Sequence, residues 1–142
     1  MPFYPLPVAY SKAPSNPTGT TDTTGKMMGL AGSITPNQTG RVLVIVTGNL
    51  ASDTNADGAK ARLRLGTGTA PSNADALTGT VYGTIAVSTG TGLLANDKEP
   101  FALQALVTGL TIGTAYWIDC DLAAIAGGTA SISDVYISAF EV

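Results

Sequence analysis

The sequence predicts an all-β fold: an antiparallel β-sandwich of jelly-roll type, about seven to eight strands, behind an extended N-terminal arm. Three observations predict it. Short apolar or alternating runs recur between segments rich in Gly, Asn, Asp, Ser and Thr, the pattern of strands joined by turns. Helical periodicity never outlasts one turn, at Leu93–Glu99, because Gly or β-branched residues break every other candidate. Finally, 142 residues, 44% of them hydrophobic, can bury one core without metals or disulfides. A closed barrel is the alternative arrangement of the same strands.

Residues 1–22 read as the arm, and residues 23–142 as the sandwich. Five of the eight prolines fall in the arm: Pro2, Pro5, Pro7, Pro14 and Pro17. Proline fixes φ and favours an extended path, so the arm is expected to lie outside the core sheets. Phe3, Tyr4, Leu6, Val8 and Tyr10 are interleaved among these prolines. A solvated tail has no use for them, so they are expected to dock on a neighbouring subunit. A disordered tail is the bland alternative.

The body follows in order. Lys26–Ile34 is a run interrupted by glycine and stopped by Pro36. Arg41–Thr47 is apolar on both parities, as a central strand is. Ala59–Leu65 alternates strictly, with Ala59, Ala61, Leu63 and Leu65 inward and Lys60, Arg62 and Arg64 outward. Thr80–Val87, Phe101–Val107 and Ala115–Ala123 are the next strands. Ala130–Val142 is the last; its apolar residues change parity, with Val135 and Ile137 on one and Tyr136 and Phe140 on the other. A bulge or burial on both faces would explain that. Gly48–Gly58, Gly66–Gly79 and Ser88–Pro100 are the linking loops.

Composition restricts the chemistry. Charged residues make up 12%, about half the usual share, so the surface is polar but mostly uncharged. Such surfaces occur in assemblies and in secreted β proteins. A net charge of −3 without a basic run argues against a general nucleic-acid binder. No apolar stretch is long enough to span a bilayer, and the proline-broken N-terminus does not read as a signal peptide. Export by assembly or lysis is therefore expected over classical secretion.

Histidine is absent, which removes the usual general base, the Ser–His and Cys–His pairs and the commonest zinc ligand. This is the main argument against an enzyme, and no cofactor is expected. Carboxylate-only catalysis would fall to Asp119, Asp121 and Asp134. Asp119 and Asp121 share one strand face about 7 Å apart. The competing readings are a solvated outer face beside Trp117 and a sugar-binding face with Trp117 as its stacking platform. Asp53–Gly58 matches the first half of a calcium loop, but its twelfth position is Arg64, so the EF-hand reading fails. A looser calcium site or a plain polar turn remains. Gly66–Pro71 lacks the Lys and helix of a phosphate cradle. Cys120 is expected buried among Tyr116, Ile118 and Leu122, without the cationic neighbours of a reactive thiol. Asn37-Gln38-Thr39 matches a glycosylation sequon, of little meaning without a signal peptide. Lys60, Arg62, Arg64 and Trp117 are candidate partner contacts on the body; a solvated or edge-guarding strand face is the alternative.

Two stretches carry a resemblance: Gly66–Pro71 with Thr78-Gly79-Thr80, and Thr108–Asp119 with Gly127–Ile132 and Ala139–Val142. Together they resemble small β-sandwich modules of bacteriophage head-decoration and tail-fibre proteins, over roughly residues 30–142. The resemblance implies a capsid decoration protein on the virion exterior, self-associated as a homotrimer and bound to the major capsid protein. A tail-fibre module binding a host-surface glycan is the alternative. A chain running from Met1 to its last strand favours the free-standing decoration protein. Within the same stretch, Gly113-Thr114-Ala115-Tyr116 looks like the tyrosine corner of Greek-key sandwiches.

Overall fold

The computed structural model describes residues 6–142. Among the described residues nine strands form: β1 (Ala9–Lys12), β2 (Lys26–Met27), β3 (Gly32–Ile34), β4 (Val42–Ser52), β5 (Ala59–Thr67), β6 (Thr80–Ser88), β7 (Glu99–Val107), β8 (Tyr116–Ala124) and β9 (Ala130–Glu141). All pairings are antiparallel. Sheet 1 has the order β1-β9-β4-β7; sheet 2 has the order β2-β8-β5-β6, with β3 also on β8. β2 pairs with Asp121–Leu122 and β3 with Tyr116–Ile118, so they are two pieces of one interrupted strand. Counted as one, they leave eight strands that alternate between the two sheets except at the β5–β6 hairpin, which stays within sheet 2, the jelly-roll form of the sandwich. β6 and β7 do not pair across the open edge, so the barrel alternative is not realised.

The alternation read from the sequence places the core. Val42, Val44 and Val46 of β4 meet Leu63 and Leu65 of β5 and Ile118, Cys120 and Leu122 of β8 between the sheets. β4 is central, flanked by β9 and β7, as its doubly apolar pattern requires. The parity change in β9 is a bulge. Thr47 faces Tyr136 while Asn49 faces Ser133, which leaves Asp134 and Val135 opposite Gly48 alone. Asp134 adopts φ +53°, the left-handed conformation a bulged Asp tolerates better than most residues. Beyond it Val135, Ile137 and Ala139 point inward, while Tyr136 and Phe140 point out.

One expectation is corrected. Ala9–Lys12, assigned to the arm, is the edge strand β1, paired with Ile137–Phe140. The physical reason is local: no proline interrupts residues 8–13, so their N–H groups are free for a ladder. Residues 93–98 form a turn before β7, with Asn96 at φ +68°, in keeping with the short turn expected there, and among the described residues no helix forms.

Candidate functional site

The outer face of sheet 2 is covered by the chain itself. Next to the β2 edge strand, the β2–β3 junction at residues 28–31 and the 68–79 loop close over β8 and β5. The loop is tied to β2 where Met27 donates to the Asp75 carbonyl (3.0 Å) and Ala74 to that of Met27 (2.9 Å). β8 is therefore buried on both faces, and Trp117, Asp119 and Asp121 lie inside. Gly66 and Gly79 make this possible: a Cβ on either would overlap the Trp117 ring, so the indole seats directly on backbone. Its Nε1 donates to the Thr67 carbonyl at 3.2 Å. The solvated face beside Trp117 is thus absent, and the indole offers no stacking surface.

Of the three candidate catalytic carboxylates, Asp119 and Asp121 hold this cover, while Asp134 lies exposed in the β9 bulge, bonded by Lys98 (2.8 Å) and Asn49 (2.9 Å). Asp119 accepts from the backbone N–H groups of Gly29 (2.9 Å), Leu30 (3.0 Å) and Cys120 (2.8 Å). It fills the gap between β2 and β3, where Gly29 and Ala31 take positive φ. Burial pushes its carboxyl up to about 6, against the pull of those N–H groups. Asp121 is 2% exposed and receives two guanidinium groups, Arg62 at 3.2 Å and Arg64 in a closer contact. Arg64 also donates to the carbonyls of Thr78 (3.2 Å) and Gly79 (3.3 Å). Of the outward basic ladder, Arg64 is buried, Arg62 is half-covered and ion-paired, and Lys60 is half-buried.

The same device recurs at the loops. Asp57 accepts from Gly128 (2.7 Å), Gly58 (2.8 Å) and Ala126 (3.1 Å), which lowers its pKa. Asp53 accepts from Thr129 at 2.7 Å and is lowered likewise. The half-calcium loop therefore binds the β8–β9 hairpin through its acids, and no metal-binding cluster of acids and sulfur ligands occurs among the described residues. Glu141 sits in a concavity of successive N–H groups: Asn37 (3.1 Å), Gln38 (2.7 Å), Thr39 (2.7 Å) and Gly40 (3.3 Å). Burial opposes its charge, but these donors prevail and hold its carboxyl at about 2. This latch escaped the sequence reading; the only signal there was the polar Asn37–Gly40 stretch, which was read as a sequon. Asn37 Nδ2 is itself engaged with the Leu6 carbonyl at 2.9 Å.

The arm divides. Phe3 and Tyr4 lie outside the described residues. Val8 and Tyr10 pack on the chain's own core, and the Val8 carbonyl accepts a 2.8 Å bond from the Glu141 N–H. Leu6 alone among the described arm candidates is bare, at 83% exposure. The tyrosine corner forms as expected, with Thr111 N–H donating to the Tyr116 hydroxyl at 2.9 Å. Cys120 is buried, and burial raises its thiol pKa, so it is an inert core residue.

Sheet 1 is different. Among the described residues, its outer face carries no covering segment and no charge across its centre. The register puts Phe140, Leu43 and Leu106 in one row, Ser138, Ile45 and Gln104 in the next, and Tyr136, Thr47 and Ala102 in the third. Leu106, Tyr136 and Phe140 are exposed by 49%, 47% and 41%. At the neighbouring edge a groove of about 390 Å³ opens between β6 and β7, lined by Leu50, Ala86, Val87, Phe101 and Ala102. Past it, Val81, Ile85 and Val87 of β6 are exposed as well.

No family model matches the chain, and no curated protein matches it. Among solved structures it is similar to the Eiger TNF of S. frugiperda, at TM-score 0.48 and 13% identity, over 94% of this chain and 85% of that one. It is similar also to the VP2 subviral particle of infectious bursal disease virus, at TM-score 0.47 and 12% identity, over 95% of this chain and 37% of that one.

Proposed function

We propose that this chain is a structural protein of a bacteriophage virion, a capsid decoration protein that binds the outer shell and stabilises it, and that it is not an enzyme. One observation carries the structural reading. Asp53, Asp57, Asp119 and Glu141 each bind backbone N–H groups, and Asp121 binds two arginines. Acid groups that a histidine-free hydrolase would need for catalysis are committed instead to locking loops. A cross-braced body of this kind suits a protein whose task is to hold a shape. The assignment to a virion exterior rests on the resemblance of residues 30–142 to decoration modules. The partners are then the major capsid protein and further copies of the chain.

The test is co-sedimentation with shells stripped of minor proteins. Saturable binding is expected, followed by a higher shell disruption temperature. Shells that take up no protein overturn the reading. Because β1 belongs to the sheet, the arm is tested by removing residues 1–5 only. Loss of shell binding with an intact body would assign the shell contact to the segment that contains Phe3 and Tyr4.

The β6–β7 groove favours a second reading, a carbohydrate-binding module of a tail fibre. It pairs the Phe101 ring with the polar Ser88, Thr89 and Glu99. A glycan array that binds the wild type, but not Phe101→Ala, would support it.

A further inference from the structure

We infer that Glu141 is a clamp on the root of the N-terminal arm: its carboxylate joins Leu6–Val8 to the Asn37–Gly40 loop and so fixes the point from which the chain continues to residues 1–5. The two carboxylate oxygens divide the work. Oε1 accepts from the N–H groups of Gln38 (2.7 Å), Thr39 (2.7 Å) and Gly40 (3.3 Å), and the Asn37 N–H lies 3.1 Å from both oxygens. Oε2 is left to face the arm, where the Val8 N–H donates to it at 3.4 Å. Asn37 completes the link from the loop side, through its Nδ2 bond to the Leu6 carbonyl (2.9 Å).

Strand pairing alone does not hold this root. Val8 stands opposite Glu141, one step beyond the Ala9–Phe140 pair. Its carbonyl takes the Glu141 N–H at 2.8 Å, as in an antiparallel pair. Its own N–H goes to the Glu141 side chain instead of the Glu141 carbonyl. The ladder therefore ends on a carboxylate. Beyond it Pro7 has no N–H to offer, and Leu6 is bare. Apart from the Val8 side chain on the core, Glu141 and Asn37 are what hold residues 6–8 among the described residues.

The loop, by contrast, is anchored without the carboxylate. Gly113 donates to the Pro36 carbonyl (2.8 Å), Leu110 to that of Gly40 (3.0 Å) and Val142 to that of Arg41 (2.9 Å). Gly40 takes φ +65°, and a Cβ there would overlap the Leu110 carbonyl oxygen, so the loop seats directly on backbone beside the tyrosine corner. A fixed loop on one side and a sparsely bonded chain on the other make Glu141 a positioning residue for the segment that contains Phe3 and Tyr4. That this segment meets a shell rests on the function proposed above; the clamp does not.

Backbone hydrogen exchange followed by NMR on the full chain tests this. In Glu141→Gln the amide can turn its one oxygen to the four loop N–H groups, but its NH2 then faces the Val8 N–H and cannot accept from it. The amides of Val8 and of residue 141 should exchange about tenfold faster, the worth of one bond to a charged acceptor. Tyr10 and Lys12, whose N–H groups fall on the β9 side by alternation from Val8, should keep their protection. Unchanged exchange at Val8 overturns the inference. So does an equal loss at Tyr10 and Lys12, since Glu141 would then hold the sheet and not the arm root. If Glu141→Gln does not fold, Asn37→Ala decides: it leaves the carboxylate and every loop N–H in place, and Val8 should exchange about threefold faster. No change there overturns the inference. Shell co-sedimentation reports separately. Glu141→Gln should bind shells roughly threefold to tenfold more weakly, because a loosened arm has to be ordered again on binding. A variant that loosens Val8 but binds shells as the wild type does overturns the positioning role. A wild type that binds no shells overturns only the proposed function, and the exchange result stands.

Discussion

The two outer faces of the sandwich solve opposite problems. Sheet 2 is roofed by residues 28–31 and 68–79, and beneath that roof lie a tryptophan, two carboxylates and an arginine. Sheet 1 has no roof, and its centre is apolar and uncharged. The difference teaches where charge belongs in this fold. Under the roof, polar side chains are needed because covering segments without regular pairing leave N–H and C=O groups that must find partners. A sequence-only view places the charges of β5 and β8 toward water and so inverts the two faces.

Breaking the roof should have the largest effect. Asp121→Ala leaves Arg64 buried without its counter-ion, and about 3–5 kcal/mol of stability should be lost in urea unfolding. Trp117 is the sole tryptophan, so its emission should shift to the red if the roof opens. A loss below about 1 kcal/mol would mean that the roof is held by something other than this ion pair.

Titrating the roof comes next. Asp119 is raised to about 6 in the folded chain, above its ordinary 3.8. The folded state therefore binds the proton more tightly, and stability should rise as pH falls from 7 through 6 toward 4. The gain is at most about 3 kcal/mol, at about 1.4 kcal/mol per pH unit. Asp119→Asn should flatten that rise, whatever its own cost. Glu141 is held at about 2, below its ordinary 4.5, so its contribution is full above 4.5 and lost as pH falls toward 2. Melting temperature against pH should thus peak near pH 4–5, and Glu141→Gln should flatten the acid limb.

Smaller effects sharpen the comparison. Tyr116→Phe removes the hydroxyl that accepts from Thr111 and should cost about 1 kcal/mol. Leu106→Lys lies on the open face and should change the unfolding free energy by no more than about 0.5 kcal/mol. A large loss there would show that sheet 1 needs its outer face for folding.

The strand plan was legible because alternation and turn chemistry act locally. Ala59–Leu65 shows its inward set in plain sequence, Gly113 and Tyr116 announce their corner, and the parity change in β9 narrows the choice to a bulge or burial on both faces. The candidate site was less legible. Arg64, Asp119, Asp121 and Trp117 occupy positions that a half-exposed strand would turn to solvent, and nothing within β5 or β8 says that another segment lies over them. The arm was misread for a related reason: proline spacing describes what residues 8–13 cannot do, while β9, more than 120 residues later, supplies what they pair with.

By itself, then, the sequence determined the class of fold, the main strands from β4 to β9, the inward faces of β5 and β8 and the absence of histidine chemistry. Each of these follows from period, turn residues or composition. Only the tertiary structure decided which outer face is sealed and which is bare, and which backbone groups the carboxylates of Asp53, Asp57, Asp119 and Glu141 would bind. Those choices depend on contacts between segments tens of residues apart, and loop geometry rather than residue pattern brings such segments together.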